Sequence, residues 1–391
     1  MNAITAPTPY AWPAAPPVLH GKAWDDLFVW AHRCEMSDLH VQTNRPVKMV
    51  VHGQFHDVMR RAVTAEEVNS AAHLLYGPTA LAHLKKAHDF DIAHVVQPPG
   101  GERYRIGEGS GLPLAPSQAR YRFRVNGTSV MTQGADGVQI TLRRIENDPP
   151  LLDTMGIEAP ILRAYRPRNG LVLICGAVGT GKTRTLAGMV RSLLEDPGFH
   201  GKIIEFALPL EYEFDRINSR GLYSPSEVPR HMHDVLAGMR GALRRAFHVM
   251  LSPECRDRET MEVAMMAAQT GAAVYSTLHT NSVVETIQRV LGMFPKDERE
   301  DRAISLAQSL RLVVNCLLVP STDGRRIQLR EFVVIGPQER ETLLDTPVSQ
   351  WPGLTRRLLA EKGQTFAVAA TNALHAGLIS ADTAAKLLED F

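Results

Sequence analysis

One short segment, residues 176–183, constrains the fold more than any other part of the 391-residue sequence. It has the form G-x-x-x-x-G-K-[ST], in which glycines let backbone N–H groups close around phosphates, the lysine reaches the β- and γ-phosphates, and the hydroxyl ligates Mg²⁺. An apolar run precedes it at 171–175 and a helical pattern follows it to residue 194, so the phosphates would lie at a helix N-terminus. We therefore predict ATP and Mg²⁺ binding by eight residues: Gly176, Ala177, Val178, Gly179, Thr180, Gly181, Lys182 and Thr183.

Short apolar runs alternate with helical segments through the second half of the chain, at 171–175, 202–208, 248–252, 272–278 and 313–319. Such alternation predicts an α/β fold with a mainly parallel sheet covered by helices. The first 150 residues differ, because period-two stretches at 38–42, 47–53, 119–125 and 137–144 are mixed with helical patterns at 24–36, 66–75 and 78–88. This mixture predicts an α+β domain, in which Thr64 and Glu67 have the spacing of a helix capping box.

Proline and glycine mark the predicted boundaries. A Gly/Pro-rich loop occupies 98–116, and Asn147-Asp148-Pro149-Pro150 interrupts the pattern between the two halves. The sequence predicts a flexible proline-rich tail at 1–21, an N-terminal domain at 22–145, a linker at 146–157, an α/β domain at 158–337 and a C-terminal helical region at 338–391.

Composition excludes several classes of function. The 43 basic and 42 acidic side chains give a net charge of +1, so no global field favours nucleic acid, and direct nucleic-acid binding is not expected. No apolar run reaches the roughly 18 residues that a membrane-spanning helix needs, so we expect any membrane connection to go through partners. The four cysteines form no C-x-x-C pair, which argues against zinc and disulfides and fits a reducing, cytosolic setting.

Three polar residues follow predicted strands of the α/β domain. Glu254, Glu211 and His279 each come shortly after an apolar run, at the carboxyl edge of the sheet, where ligands bind in this fold class. A carboxylate there can hold Mg²⁺ or orient the attacking water in phosphoryl transfer. We assign that role to Glu254, which is also a candidate metal ligand beside Thr183. A lone histidine is more often structural, and a solvated acid at a strand end remains the alternative for Glu254.

The order of these motifs resembles the PilT-like secretion ATPases, which drive pilus retraction and type II and type IV secretion. The motifs that carry the resemblance after the G-x-x-x-x-G-K-T segment are Pro209-Leu210-Glu211, the run 254–260, Thr277-Leu278-His279-Thr280-Asn281 and Phe294-Pro295. Upstream segments, 37–40 and 121–126, extend the resemblance to nearly everything from residue 24 onward. The stretches 139–143 and 329–332 look like the DotB/TraJ branch, in which the ATPase energises type IVB secretion or plasmid conjugation.

The resemblance implies a soluble homohexameric ring that docks on inner-membrane secretion or conjugation proteins from the cytoplasmic side. Each subunit would pair a PAS-like N-terminal domain with a RecA-like ATPase domain and a small helical C-terminal region, with nucleotide between the first two. Arginines of the first domain would then reach the phosphates, and Arg122, Arg124 and Arg143 are the candidates. The alternative for these arginines is a basic strand edge that blunts unwanted strand pairing.

The sequence departs from the family pattern near the expected catalytic site. Ala207 stands where the family has a carboxylate, and Glu205 is displaced from that position by roughly 6 to 7 Å along the strand. Pro253 replaces a glycine before Glu254, and Ala272 replaces a histidine. Since phosphoryl transfer depends on positioning and electrostatics, these departures predict a slow ATPase.

Two other functions remain open from the sequence. A ring-forming scaffold could bind nucleotide as an assembly switch without efficient turnover. A DNA translocase could use the same ATPase fold, although the neutral charge and the lack of a basic stretch with interleaved aromatics count against it.

Overall fold

Two compact units, residues 1–147 and 148–391, make up the chain in this computed structural model. The structure describes residues 10–51, 53–98, 120–146, 148–215, 217–228, 230–252 and 254–390. The division falls inside the predicted linker, 146–157, while the bounds of the predicted domains stay predictions. Across the described ranges, no helix is both long and apolar enough to cross a bilayer.

The described part of the first unit is an antiparallel sheet of six strands with three helices, as the α+β prediction expects. The sheet order is β3-β2-β1-β6-β5-β4. The elements are α1 (Lys22–Arg33), β1 (Asp38–Gln42), β2 (Pro46–Val51), β3 (Gln54–Ala62), α2 (Ala65–Tyr76), α3 (Ala80–Lys85), β4 (Phe90–Val96), β5 (Tyr121–Thr132) and β6 (Ala135–Ile145). Aromatic side chains fill its core, with Trp24, Phe28 and Phe123 fully buried.

The predicted capping box at the start of α2 is confirmed. The Thr64 hydroxyl accepts a hydrogen bond from the Glu67 backbone N–H at 3.2 Å, and the Glu67 carboxylate accepts one from the Thr64 N–H at 2.8 Å. The same buried carboxylate also accepts bonds from Leu19 N at 2.7 Å and from the Arg61 guanidinium at 2.6 and 2.9 Å. Burial alone would raise the pKa of Glu67, but these bonds lower it to about 2.

We expect Glu67→Gln to lower the free energy of unfolding of the first unit by about 2 to 4 kcal/mol at pH 7, because Arg61 loses its buried anion. The folded pKa lies below the usual 4.5, so the ionised carboxylate stabilises the fold above that value and the benefit is lost as pH falls toward 2. Urea titrations read by tryptophan fluorescence should therefore show wild type and variant converging below about pH 4. Glu66→Gln, at an exposed position of the same helix, is the control and should change little.

The second unit is built on a sheet of seven strands in the order β13-β12-β7-β11-β10-β8-β9. Its strands are β7 (Gly170–Cys175), β8 (Lys202–Ala207), β9 (Leu222–Glu227), β10 (Val249–Leu251), β11 (Ala273–Leu278), β12 (Leu310–Pro320) and β13 (Arg326–Val334). Its helices are α4 (Ala159–Ala164), α5 (Lys182–Glu195), α6 (Val235–Ala242), α7 (Arg258–Gln269), α8 (Val283–Gly292), α9 (Arg299–Ser309), α10 (Pro337–Leu344), α11 (Trp351–Lys362), α12 (Phe366–His375) and α13 (Ala381–Asp390), with short 3₁₀ helices at Leu152–Met155 and Val348–Gln350.

The predicted mainly parallel sheet is confirmed, since every neighbouring pair is parallel except β12 and β13. All six residues of β7 are buried, as expected for a strand covered by helices on both faces. The carboxyl ends of β7, β8, β10 and β11 meet along one edge of the sheet. That edge carries the segments in which the sequence predicts a functional site.

Four strands were not predicted from the sequence: β3, β4, β9 and β13. The β9 sequence, Leu-Tyr-Ser-Pro-Ser-Glu, lacks an apolar alternation and contains a proline. Proline is tolerated there because β9 is an edge strand of the sheet. The predicted strand 119–125 is also longer than expected, because β5 runs on to Thr132 and forms a hairpin with β6.

Candidate nucleotide site

The loop between β7 and α5 has the backbone that a phosphate-binding turn requires. Gly176, Gly179 and Gly181 have φ values of 139°, 78° and 85°, which side chains rarely allow. A Cβ on Gly176 would lie 2.5 Å from the carbonyl oxygen of Cys316, so this position also lacks the room for one. Helix α5 begins at Lys182, and its N-terminal N–H groups with its dipole favour an anion in the loop.

Lys182 is buried at the mouth of this loop. Its ammonium donates to the carbonyl oxygens of Gly176 at 2.8 Å and Ala177 at 2.7 Å, and it lies 3.2 Å from Nδ1 of His279. Burial lowers the pKa of Lys182, and the charge of Glu254 opposes that effect. These three contacts match the three protons of an ammonium, so binding a phosphate requires Lys182 to exchange at least one of them.

Glu254 is carried to the same edge by continued strand pairing beyond β10. Ser252 N donates to Tyr275 O at 2.9 Å, and Cys255 N donates to Thr277 O at 3.2 Å. Both acceptors belong to β11, so the segment on either side of Glu254 follows that strand toward its carboxyl end. Pro253, one of the predicted departures, lies outside the described residues.

His279 connects Lys182 to Glu254. Its Nε2 lies 3.0 Å from Oε2 of Glu254, while its Nδ1 faces the lysine. An ammonium can only donate, so Nδ1 is the acceptor, and Nε2 carries the proton and donates it to the carboxylate. Glu254 also accepts a hydrogen bond from Nε of Arg256 at 3.0 Å. Three predicted site residues therefore form one hydrogen-bonded chain.

The loop that carries His279 is held by hydrogen bonds at the residues that follow His279. Asn315 of β12 donates to the carbonyl oxygen of Thr280 at 3.1 Å. Ser282 caps α8 by accepting from Glu285 N at 3.0 Å. A side chain supported in this way keeps a defined orientation between Lys182 and Glu254.

Three residues at the end of β8 and just after it, Glu205, Ala207 and Glu211, have different surroundings. Glu211 is close enough for its charge to favour the protonated form of Lys182, so it belongs to the electrostatic surroundings of the loop. Ala207 is buried at the end of β8. Glu205 accepts a hydrogen bond from the Tyr223 hydroxyl of β9.

Arg122, Arg124 and Arg143 lie in the first unit. Arg124 forms an ion pair with Asp91 through Nε at 3.1 Å, and Arg143 forms one with Asp38 at 2.8 Å. Arg124 and Arg143 are direct cross-strand partners, so each aspartate offsets a like-charge repulsion. Arg122 is buried. The alternative of a strand edge is wrong, because β5 lies between β4 and β6.

Gln328 contacts the loop and was not predicted from the sequence. Its amide donates to the carbonyl oxygen of Thr180 at 2.7 Å, and its oxygen accepts from the hydroxyl of Thr185 at 2.9 Å. Gln328 lies on β13, which has no apolar alternation strong enough to predict a strand. The family resemblance included the neighbouring residues 329–332, and this was the sequence signal that pointed to the region of Gln328.

The residues present fit a Mg²⁺–nucleotide complex. Thr183 lies in the first turn of α5 beside Lys182, and Glu254 supplies a carboxylate at the same edge. Within the described ranges, His, Cys, Asp and Glu side chains form no cluster of three that could hold a metal. Mg²⁺ bound with nucleotide needs only one or two protein ligands, because phosphates and water complete its shell.

Comparison with known proteins identifies chains to which this one is similar. A family model described as "Type II/IV secretion system protein" matches residues 25–334. The X-ray structure of the Legionella pneumophila ATPase DotB superposes with a TM-score of 0.81 at 33% identity, covering 97% of this chain and 99% of that one.

Two curated relatives extend the comparison. The type IV pilus retraction ATPase PilT of Pseudomonas aeruginosa is 31% identical over 273 residues, covering 69% of this chain and 77% of that protein. The protein YggR of Escherichia coli K12 is 32% identical over 216 residues, 55% of this chain. The match spans 65% of the length of YggR, slightly less than two thirds.

Proposed function

Because the chain belongs to the type II/IV secretion system protein family and is an ATPase of that family, we propose that it forms a homohexameric ring motor. In this proposal, ATP hydrolysis energises a type IVB secretion or conjugative transfer machine. The observation that carries the proposal is the hydrogen-bonded chain Lys182–His279–Glu254 beside a glycine loop of nucleotide-binding form. The match to DotB over 97% of the chain favours the type IVB branch.

In this site, Lys182 and the N–H groups at the start of α5 bind the β- and γ-phosphates, and Thr183 holds Mg²⁺ with them. When bound, Mg²⁺ would supply positive charge that offsets the negative charge of the transferring phosphoryl group. Glu254 orients a water whose oxygen attacks the γ-phosphorus, and it accepts the proton as the bond to ADP breaks. His279 donates to Glu254 and faces Lys182, so it is placed to respond when Lys182 exchanges that contact for phosphate.

We further propose that turnover is slow, because Ala207, Pro253 and Ala272 replace groups that relatives of this kind use near the phosphates. Restoring the missing acid with Ala207→Glu should raise the single-turnover hydrolysis rate about tenfold, which corresponds to lowering the barrier by about 1.4 kcal/mol. Ala207→Gln, which has the same shape without the charge, should not. A wild-type rate that falls sharply in Glu254→Gln and does not rise in Ala207→Glu would contradict the slow-ATPase proposal.

The proposed ring places arginines of the first unit near nucleotide. Arg122 and Arg124 are the first candidates and Arg143 the next, since a guanidinium stabilises charge on the transferring phosphoryl group. In assembled rings, Arg124→Gln should lower kcat at least about tenfold with little change in ATP affinity. Asp91→Asn is the control, because it removes the ion-pair partner of Arg124 and keeps the arginine. If the arginine itself acts on the phosphates, kcat should fall in Arg124→Gln and not in Asp91→Asn.

Docking at the cytoplasmic face of the inner membrane is proposed to go through machine proteins. Copurification with membranes should then require those proteins and disappear in cells that lack the transfer machine. Binding to vesicles of anionic lipid by the isolated protein would contradict this part of the proposal.

A ring scaffold that uses nucleotide as an assembly switch is the second candidate, and the replacement of a carboxylate by Ala207 is the observation that favours it. Phosphate release measured beside size-exclusion chromatography, with and without ATP, distinguishes the two functions. Assembly without turnover supports the scaffold, while turnover that increases on assembly supports the motor.

A further inference from the structure

The outer strand β13 sends two polar side chains into the interior of the second unit. Gln328 and Arg330 are two residues apart, so they lie on the same face of the strand. Arg330 is only 2% exposed, which is unusual for an arginine and requires that its donors be matched. The two side chains contact each other, with Nε of Arg330 donating to the amide oxygen of Gln328 at 3.0 Å.

Gln328 is fixed against the nucleotide loop at both ends of its amide. It donates to Thr180 O inside the loop and accepts from the hydroxyl of Thr185 in the first turns of α5. A Cβ on Gly181 would lie 2.8 Å from its nitrogen, so the amide packs directly on the loop backbone. A shift of the loop when phosphate binds must therefore move Gln328 or break these bonds.

Arg330 also forms hydrogen bonds with a second segment, residues 155–158. Its terminal nitrogens donate to Met155 O at 2.9 Å, Gly156 O at 3.0 Å and the Glu158 carboxylate at 3.1 Å. This segment lies only eight to eleven residues after the division of the chain at 147 and 148. It is thus the part of the second unit through which the chain arrives from the first.

The C-terminal helical region meets the same network. The amide of Gln364, between α11 and α12, donates to the other oxygen of Glu158 at 3.2 Å and to Arg330 O at 3.0 Å. Glu158 is therefore held from two sides. Arg330 contacts the entry segment and the C-terminal region directly, and it reaches the nucleotide loop through Gln328.

We propose that Gln328 and Arg330 are positioning residues that couple the nucleotide loop to the entry segment 155–158. Nucleotide binding shifts the loop, and the Gln328–Arg330 pair passes that shift to Met155, Gly156 and Glu158. A continuous hydrogen-bonded network can carry such a change, and this one is centred on a buried arginine and is itself partly buried. This inference rests on the proposed nucleotide site and adds a route by which that site acts on the chain between the two units.

Hydrogen–deuterium exchange of the full-length protein, with and without Mg²⁺–ADP, tests the coupling. In wild type, ADP should slow exchange both at 176–183 and at 152–158. Gln328→Met keeps the volume of the side chain but removes all three polar contacts, those with Thr180, Thr185 and Arg330. It should abolish the ADP effect at 152–158, retain it at 176–183, and weaken ADP binding about fivefold, the equivalent of one hydrogen bond.

A second variant and a matched control complete the test. Arg330→Lys keeps the charge but cannot form the fork of contacts, and it should also lose the ADP effect at 152–158. The control is Arg191→Met, another buried arginine, which donates to Pro149 O at 2.7 Å and to Glu195 at 2.8 Å. It should lower thermal stability yet keep the ADP effect at 152–158.

Each contrary outcome has a distinct meaning. Protection at 176–183 without protection at 152–158 in wild type would overturn the coupling and leave the proposed function intact. The coupling is also wrong if Gln328→Met and Arg330→Lys both keep the effect, or if Arg191→Met loses it to the same extent. No ADP protection anywhere in wild type would overturn the nucleotide site itself.

Discussion

Glu254→Gln is expected to lower kcat for ATP hydrolysis by at least about 100-fold while ATP affinity stays within about threefold. The amide keeps the size of the carboxylate and can still accept a hydrogen bond from Nε2 of His279. It cannot accept the proton of the attacking water or hold that water through a full negative charge. The substitution therefore weakens stabilisation of the transition state, and it leaves the binding of ATP in the ground state nearly unchanged. Fluorescent-nucleotide titration and single-turnover kinetics measure the two quantities separately.

A matched control is available on the neighbouring strand. Glu205 accepts a hydrogen bond from Tyr223, so Glu205→Gln changes a carboxylate of the same sheet without touching the Lys182–His279–Glu254 chain. We expect its kcat to remain within about threefold of wild type. The assignment of Glu254 is contradicted if Glu254→Gln turns over at the wild-type rate, or if Glu205→Gln is the more damaged of the two.

The nucleotide loop could be predicted from sequence because its requirements are local. Positive φ values at Gly176, Gly179 and Gly181 follow from residue type, and the flanking strand and helix are adjacent in the chain. The meeting of Glu254 and His279 with Lys182 was also expected in outline, since parallel strands bring their carboxyl ends to one edge. Their hydrogen-bond order was not predictable, because Lys182 and His279 are 97 residues apart.

Strand β13 contacts residues that are far away in the chain. Local sequence patterns carry no information about such contacts. Gln328 bonds to Thr180 across 148 residues, and Arg330 bonds to Gly156 across 174. A glutamine and an arginine in a short stretch are typical of a solvated surface, so local polarity predicted no strand. Burial of the Arg330 guanidinium is favourable because carbonyl groups of distant residues accept hydrogen bonds from it. Those carbonyl groups come together with Arg330 only in the folded chain.

Lys182→Met is expected to weaken ATP binding by at least about 100-fold, since the variant loses the cation that the loop places on the phosphates. Methionine retains much of the length and the apolar stem of lysine, so the packing around the loop should persist. Removing the ammonium also deprives Gly176 O, Ala177 O and Nδ1 of His279 of a donor. Isothermal titration with Mg²⁺–ATP measures the affinity, and thermal melting without nucleotide reports whether the fold survives.

Lys202→Met separates the effect of position from the effect of losing any lysine in this unit. Lys202 begins β8 and donates to Arg245 O at 3.2 Å in an exposed hydrogen bond, away from the loop backbone that Lys182 touches. We expect its ATP affinity to stay within about twofold of wild type. Because Lys182 also donates to the carbonyl oxygens of Gly176 and Ala177, the measured loss equals its attraction to phosphate less the strength of any loop bond that it exchanges for phosphate. An affinity of Lys182→Met within about fivefold of wild type would mean that the backbone N–H groups of α5 carry the phosphate alone.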